Sequence, residues 1–221
     1  WSRLRVRADG TVTGFRETRG WAPGRQLYFA MRFSRPLASH ALHDTEQDVI
    51  YKGFPPPAAN DPRQRAQVEG RQLAGVFDFG EATREPLVVK LAISPVSEDG
   101  AIANLDAEVP GFDFDRVRAE AKRHWQQALA AVDVQGTPEQ RTRFYTALYH
   151  ALLGPTLFMD VDGRYRGPDN AVHQARGWTN YSTCSLWDTY RALHPLLTLV
   201  QPPQHTGDIV NSLLAARRES P

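Results

Sequence analysis

The sequence predicts a mixed protein in which β-structure comes first and α-structure second: part of an antiparallel β-sandwich, a connecting helix, then a group of packed helices. Three observations carry this. The first hundred or so residues alternate apolar and polar and are cut by turn signals. The period changes to helical spacing just after Pro110-Gly111. No βαβ alternation occurs, which argues for two separate domains.

In order, LRVRADGTVTGFRET alternates through Leu4, Val6, Val12 and Phe15, with Ala8-Asp9-Gly10 as the turn between two strands. QLYFAMRFS, 26–34, puts Leu27, Phe29, Met31 and Phe33 on one strand face and Tyr28, Ala30 and Arg32 on the other. The Pro-rich polar stretch 54–72 reads as a long loop that packs little. LAGVFDFG and PLVVKLAIS read as two more strands, and the run Val88, Val89, Leu91, Ile93 predicts burial on both faces. From Phe112 to about Val132, apolar residues at Phe114, Val117, Ala121, Trp125, Ala128, Leu129 and Val132 have helical spacing. Thr137-Pro138-Glu139-Gln140 is a capping box with proline at the first helical position. The helix it opens ends at Gly154-Pro155. Ser185-Leu186-Trp187-Asp188 resembles a second capping box, with a helix expected to fail near His194-Pro195. Asp208 to Arg218 is a further amphipathic helix.

A chain of 221 residues allows one large domain or two small ones. With 26 basic and 25 acidic side chains it lacks the clustered positive charge of a nucleic-acid partner. No apolar run approaches the roughly 20 residues of a membrane span. The single cysteine, Cys184, permits no internal disulfide, and with no evident base partner it reads as a packed thiol. The chain opens at Trp1 in what reads as a strand and stops at Pro221 after a helical pattern, so both ends read as cut from a longer chain.

Two stretches could carry chemistry. In FYTALYHALLGPTLFMDVDGRYRG, the pair Asp160 and Asp162 falls on one side of an extended chain. The carboxylates could bind a cation through oxygen or accept hydrogen bonds from sugar hydroxyls. The plainer alternative is a solvated loop with an internal Asp–Arg pair, supplied by Arg164 or Arg166. A calcium loop of the EF-hand type fails, because its sixth and twelfth positions are Tyr165 and Ala171. In the second stretch, Trp187, Asp188 and Arg191 open a helix. They read either as a capping carboxylate with a surface ion pair or as a sugar platform: an indole to stack on a pyranose, with charged groups to hold its hydroxyls. The seven histidines have no tight metal-ligand spacing, and no GxSxG, P-loop or Rossmann glycine pattern is present.

FYTALYHALLGPTLFMDVDGRYRG, then SLWDTYRALHPLLTLVQP and VNSLLA, together resemble glycoside hydrolase family 92. VVKLAISPVS, NLDAEVPGFDFDRVRAEAKRHWQQAL and TGFRETRGWAPGRQLYFAMRFS extend the likeness over most of the chain. The resemblance implies a calcium-dependent, inverting exo-α-mannosidase with an N-terminal β-sandwich, a helical linker and a C-terminal (α/α)6 barrel, its site at their junction. Residues 1–110 would be the later part of the sandwich, 111–136 the linker and 137–221 the first helices of the barrel. It implies sugar contacts at Asp160, Asp162, Trp187, Asp188 and Arg191. An inverting enzyme needs an acid and a base roughly 6.5–9.5 Å apart. The family's acid lies in a GNET-like segment, which does not occur before Pro221, so the acid, the base and the calcium ligands are all expected outside this chain. The expected partner is a mannose-rich, preferably α-1,2-linked glycan, and the expected location is extracellular or periplasmic. The alternatives are a mannose-binding module without catalysis and an inactive remnant.

Overall fold

The computed structural model describes residues 1–18, 24–47, 64–182 and 185–220. Cys184 and the 54–63 part of the predicted loop lie outside them. Two compact units result, Trp1–Phe112 and Asp113–Pro221. No described helix is long and apolar enough to cross a membrane.

The described residues of the first unit form β1 Ser2–Val6, β2 Val12–Thr18, β3 Arg25–Phe33, β4 Ser39–Asp44, β5 Gln67–Gly70, β6 Leu73–Asp78, β7 Val89–Ser94 and α1 Glu98–Glu108. Five of them form an antiparallel sheet in the order β5-β1-β2-β3-β7, and β4 pairs with β6 in a second sheet. Gly14 sits where strands crowd: a Cβ there would lie 2.0 Å from the Arg3 carbonyl oxygen. The core is built from Val6, Val12, Leu42 and Val68, with Leu4, Phe29, Met31, Phe33, Leu73 and Phe77 packed on it. The alternation read at Leu4, Val6, Val12 and along β3 is therefore the pattern of one inward face, whereas Phe15 lies on the opposite face, against Tyr28 and the Arg3 guanidinium.

The other face of the five-stranded sheet carries arginines, and α1 is seated on it largely by charge. Ala30 packs on Ala101 and Leu105. Around that small patch the buried Glu98 accepts from Thr13 Oγ1 at 2.7 Å and pairs with Arg3 at 3.4 Å and Arg5 at 3.6 Å. Arg7 pairs with Asp99 at 2.7 Å, and Arg32 pairs with Asp106. Asn104 Nδ2 donates to the Ile93 carbonyl at 2.9 Å.

Two sequence expectations need correcting here. Val89, Leu91 and Ile93 are 47%, 55% and 54% exposed. They stand beside Phe33, Met31 and Phe29 on the core face, but β7 is the edge strand and the described residues leave that end of the face open. Within the predicted 54–72 loop, Gln67–Gly70 is a strand paired with β1. Pairing, which composition does not reveal, made the difference.

The second unit contains α2 Phe114–Leu129, α3 Pro138–Ala151, the hairpin β8 Arg164–Arg166 and β9 Val172–Gln174, then α4 Leu186–Thr189, α5 Leu193–Val200 and α6 Pro203–Glu219. Asp113 caps α2 by accepting from Arg116 N–H. The box at Thr137 and Gln140 is made in both directions, at 2.9 and 3.3 Å. Ser185 makes no side-chain cap bond, and α4 is a single turn. The break falls at Tyr190–Ala192, and His194-Pro195 lies inside the first turn of α5. Proline is tolerated there because a first-turn N–H has no helical partner to lose.

Candidate functional site

Thr156 and Ser182 exchange backbone and hydroxyl contacts, and Phe158 N–H donates to Asn180 O at 2.9 Å. Leu157 bridges Tyr181. This short ladder is the base from which both candidate stretches depart: the Asp160 turn from one strand, the Ser185 segment from the other.

The Asp160–Gly163 turn is tight. Asp160 N–H donates to Arg164 O at 2.8 Å, and Gly163 N–H donates to Asp160 O at 2.8 Å. Gly163 has φ +82°, and a Cβ there would meet Gln174 Nε2 at 2.7 Å and Ala175 O at 3.0 Å. Glycine is required on both counts. Asp160 is 1% exposed. Asp162 lies on the surface and is engaged by Arg164, whose N–H and Nε reach its carboxylate at 3.0 and 2.7 Å. Partial burial pushes the Asp162 carboxyl up, but the Arg164 N–H and guanidinium outweigh it and hold it below the usual range. The turn thus parts the two carboxylates into different surroundings, and Asp162 forms the internal Asp–Arg pair.

Trp187 is 82% exposed. Asp188 and Arg191 are exposed, and no hydrogen bond or ion pair joins them. Arg191 donates to Tyr190 OH at 3.2 Å and its guanidinium lies 5.8 Å from that ring. The capping and ion-pair account of this group is therefore absent. Asp162 has its hydrogen-bonded ion pair with Arg164 rather than with Asp188 or Arg191. No group of three His, Cys, Asp or Glu side chains there is placed to hold a metal ion.

Sequence reasoning passed over a polar cluster at the start of α6. His205 Nδ1 lies 3.0 Å from Tyr181 OH, and the buried Asp208 accepts from Gln204 at 2.7 Å. These residues line a cavity of about 640 Å³ together with Gln201, Leu152 and Val200. Burial pushes the His205 imidazole down in spite of Asp208, favouring its neutral form. The i, i+3 spacing of His205 and Asp208 on one helix was the available signal. A groove of about 880 Å³ beside α3 is lined by Arg141, Tyr145, Tyr149 and His150 and contains none of the five candidate residues.

Residues 1–94 match the glycosyl hydrolase family 92 N-terminal domain, and residues 100–221 match the glycosyl hydrolase family 92 catalytic domain. A family 92 α-mannosidase from Bacteroides thetaiotaomicron matches all of the chain with a TM-score of 0.85 and 38% identity. The chain covers 29% of that enzyme, which has also been solved in complex with mannoimidazole. A family 92 inverting mannosidase from Bacteroides thetaiotaomicron VPI-5482 matches 99% of the chain with a TM-score of 0.83 and 27% identity, the chain spanning 29% of it. An uncharacterized secreted glycosidase of Arthroderma benhamiae is 30% identical over 108 residues, which are 46% of this chain and 13% of the relative.

Proposed function

The chain belongs to glycoside hydrolase family 92, and from that premise we propose that it forms part of an inverting exo-α-mannosidase removing terminal, preferably α-1,2-linked mannose from glycans. What supports this most directly is a 38% identity that runs the whole length of the chain to an α-mannosidase. The relative described as inverting supports the stereochemistry, and the secreted relative supports an extracellular or periplasmic location.

In this reading the chain recognises sugar and the acid and base lie elsewhere in the protein. Trp187 offers a bare indole on which the apolar face of a pyranose stacks. Asp188 accepts from hydroxyls and Arg191 donates to them; both side chains are exposed. Asp160 and Asp162 complete the recognition set, with Asp162 acting together with its Arg164 partner. Buried polar groups matched to particular hydroxyls reject sugars that lack them. We assign the ligands of the calcium ion, like the acid and base, to other parts of the protein.

The test is mannose release from α-1,2-mannobiose by the full-length protein and by the 221-residue chain, each with and without a calcium chelator. The expected result is chelator-sensitive release by the full-length protein, first as the inverted anomer, and none by the chain. Folded full-length protein that binds mannose without releasing it would make this a binding module. Release by the chain alone would place the acid and base within it.

A further inference from the structure

One end of the β8–β9 hairpin holds the Asp160–Gly163 turn; the other is tied to the last turn of α6. Tyr165 OH donates to Glu219 Oε1 at 2.5 Å. The His173 ring stacks on Tyr165 with centroids 5.7 Å apart, and Trp178 meets Tyr165 edge-on at 5.8 Å. His173 Nε2 lies 3.1 and 3.0 Å from the two Asp169 carboxylate oxygens, and its Nδ1 lies 3.8 Å from Glu219 Oε1. Glu219 Oε2 is buried with no hydrogen-bond partner among the described residues. A Cβ on Gly167 would lie 2.6 Å from that oxygen and 2.7 Å from Asp169 Oδ1, so a bare glycine lets two carboxylates converge on one histidine.

The geometry decides what a proton does here. Asp169 only accepts, so the ring hydrogen of a neutral His173 sits on Nε2. Nδ1 then turns a lone pair toward Glu219. In the imidazolium the same nitrogen carries a hydrogen, and a weak repulsion becomes a charge-assisted attraction. The Ala171 N–H, and then His173, hold the Asp169 carboxyl below its usual range, so it stays an ionised acceptor. Burial first, and then Glu219, push the Tyr165 phenol up, so it remains a neutral donor; Arg218 opposes this.

We propose that Tyr165, His173 and Glu219 are positioning residues of a proton-sensitive latch. The latch clamps the hairpin to α6 and so sets how firmly the Asp160–Asp162 turn is held. Its consequence for sugar binding rests on the recognition role proposed above; the latch itself does not. The force is transmitted by Ala175 N–H to Gly163 O at 2.9 Å and Gln174 Nε2 to Asp162 O at 2.7 Å. A cation that gains partners on folding contributes stability at low pH, and the contribution is lost as pH rises through its titration.

The experiment is hydrogen exchange, read by mass spectrometry on the 160–175 peptide of the full-length protein. Exchange is compared at pH about 5.5 and about 7.5, on either side of the histidine range, and corrected for intrinsic rates. Protection should be about threefold higher at the lower pH, the scale of a partly exposed ion pair. His173→Gln, which keeps a donor for Asp169 but does not titrate, should abolish the difference. Glu219→Gln should weaken it, and Tyr165→Phe should loosen the hairpin at both pH values while leaving the difference. A wild-type peptide without pH dependence, or a difference that survives in His173→Gln, overturns the latch. If protection responds as expected but mannose affinity in wild type and His173→Gln is the same at both pH values, the latch stands and the sugar-binding reading of the hairpin falls.

Discussion

Trp187 and Asp162 mark the two extremes of the candidate site. The indole is bare, whereas the Asp162 carboxylate is held by its neighbour. Trp187 is largely exposed, so Trp187→Ala should change stability by less than about 0.5 kcal/mol. Mannoside affinity of the full-length protein should fall about tenfold, or ~1.4 kcal/mol. Chemical denaturation beside titration calorimetry separates the two; a large loss of stability with unchanged affinity would make Trp187 a packing residue. At this scale the sequence was legible where chemistry is local. Spacing singled out Asp160 and Asp162 and allowed an internal Asp–Arg pair, but it could not tell that Asp160 is buried and that Asp162 is the one paired, with Arg164. That follows from the turn at Gly163, whose conformation depends on Gln174 and Ala175. The Tyr165, His173 and Glu219 cluster was illegible for the same reason: 54 residues separate its ends.

Short-range rules gave the start of α3 correctly but failed at Ser185, where the capping bond is not made, and at His194-Pro195, which lies inside α5. The α3 start follows from four consecutive residues, and Thr137→Ala should cost about 1 kcal/mol by removing the acceptor for Gln140 N–H. Urea titration of the full-length protein measures this; no change would mean that the helix start is held by packing alone. α1 shows the opposite case. Its sequence, EDGAIANLDAE, has no apolar stripe, because its seat is an arginine-bearing sheet face that takes up Glu98, Asp99 and Asp106. β8 and β9 are three residues each, too short for alternation to register. In β7 the apolar run is real, but exposure of Val89, Leu91 and Ile93 depends on where the strand lies in the sheet.

Across the whole molecule, carboxylates in both units are held below their usual range. The Thr11 N–H does this for Asp9, Arg3 for Glu69 and the Ala171 N–H for Asp169; at Asp162, Arg164 prevails over burial. A depressed carboxyl stabilises above its unfolded pKa and loses that contribution as pH falls through its folded one. The share of stability these carboxylates supply should therefore be intact above about pH 4 and be lost below it, so that the urea midpoint falls from pH about 4 downward. A midpoint that does not fall in that range would contradict these assignments. The order of β before α, the strand faces of β1 and β3, the capped start of α3 and membership of a mannosidase family were determined by the sequence alone. Each depends on neighbours in the chain or on long motifs. Which aspartate is buried, which apolar strand lies at an edge, and which histidine sits between two carboxylates were decided only by tertiary structure. Those properties arise from groups brought together across many residues, and no local pattern encodes them.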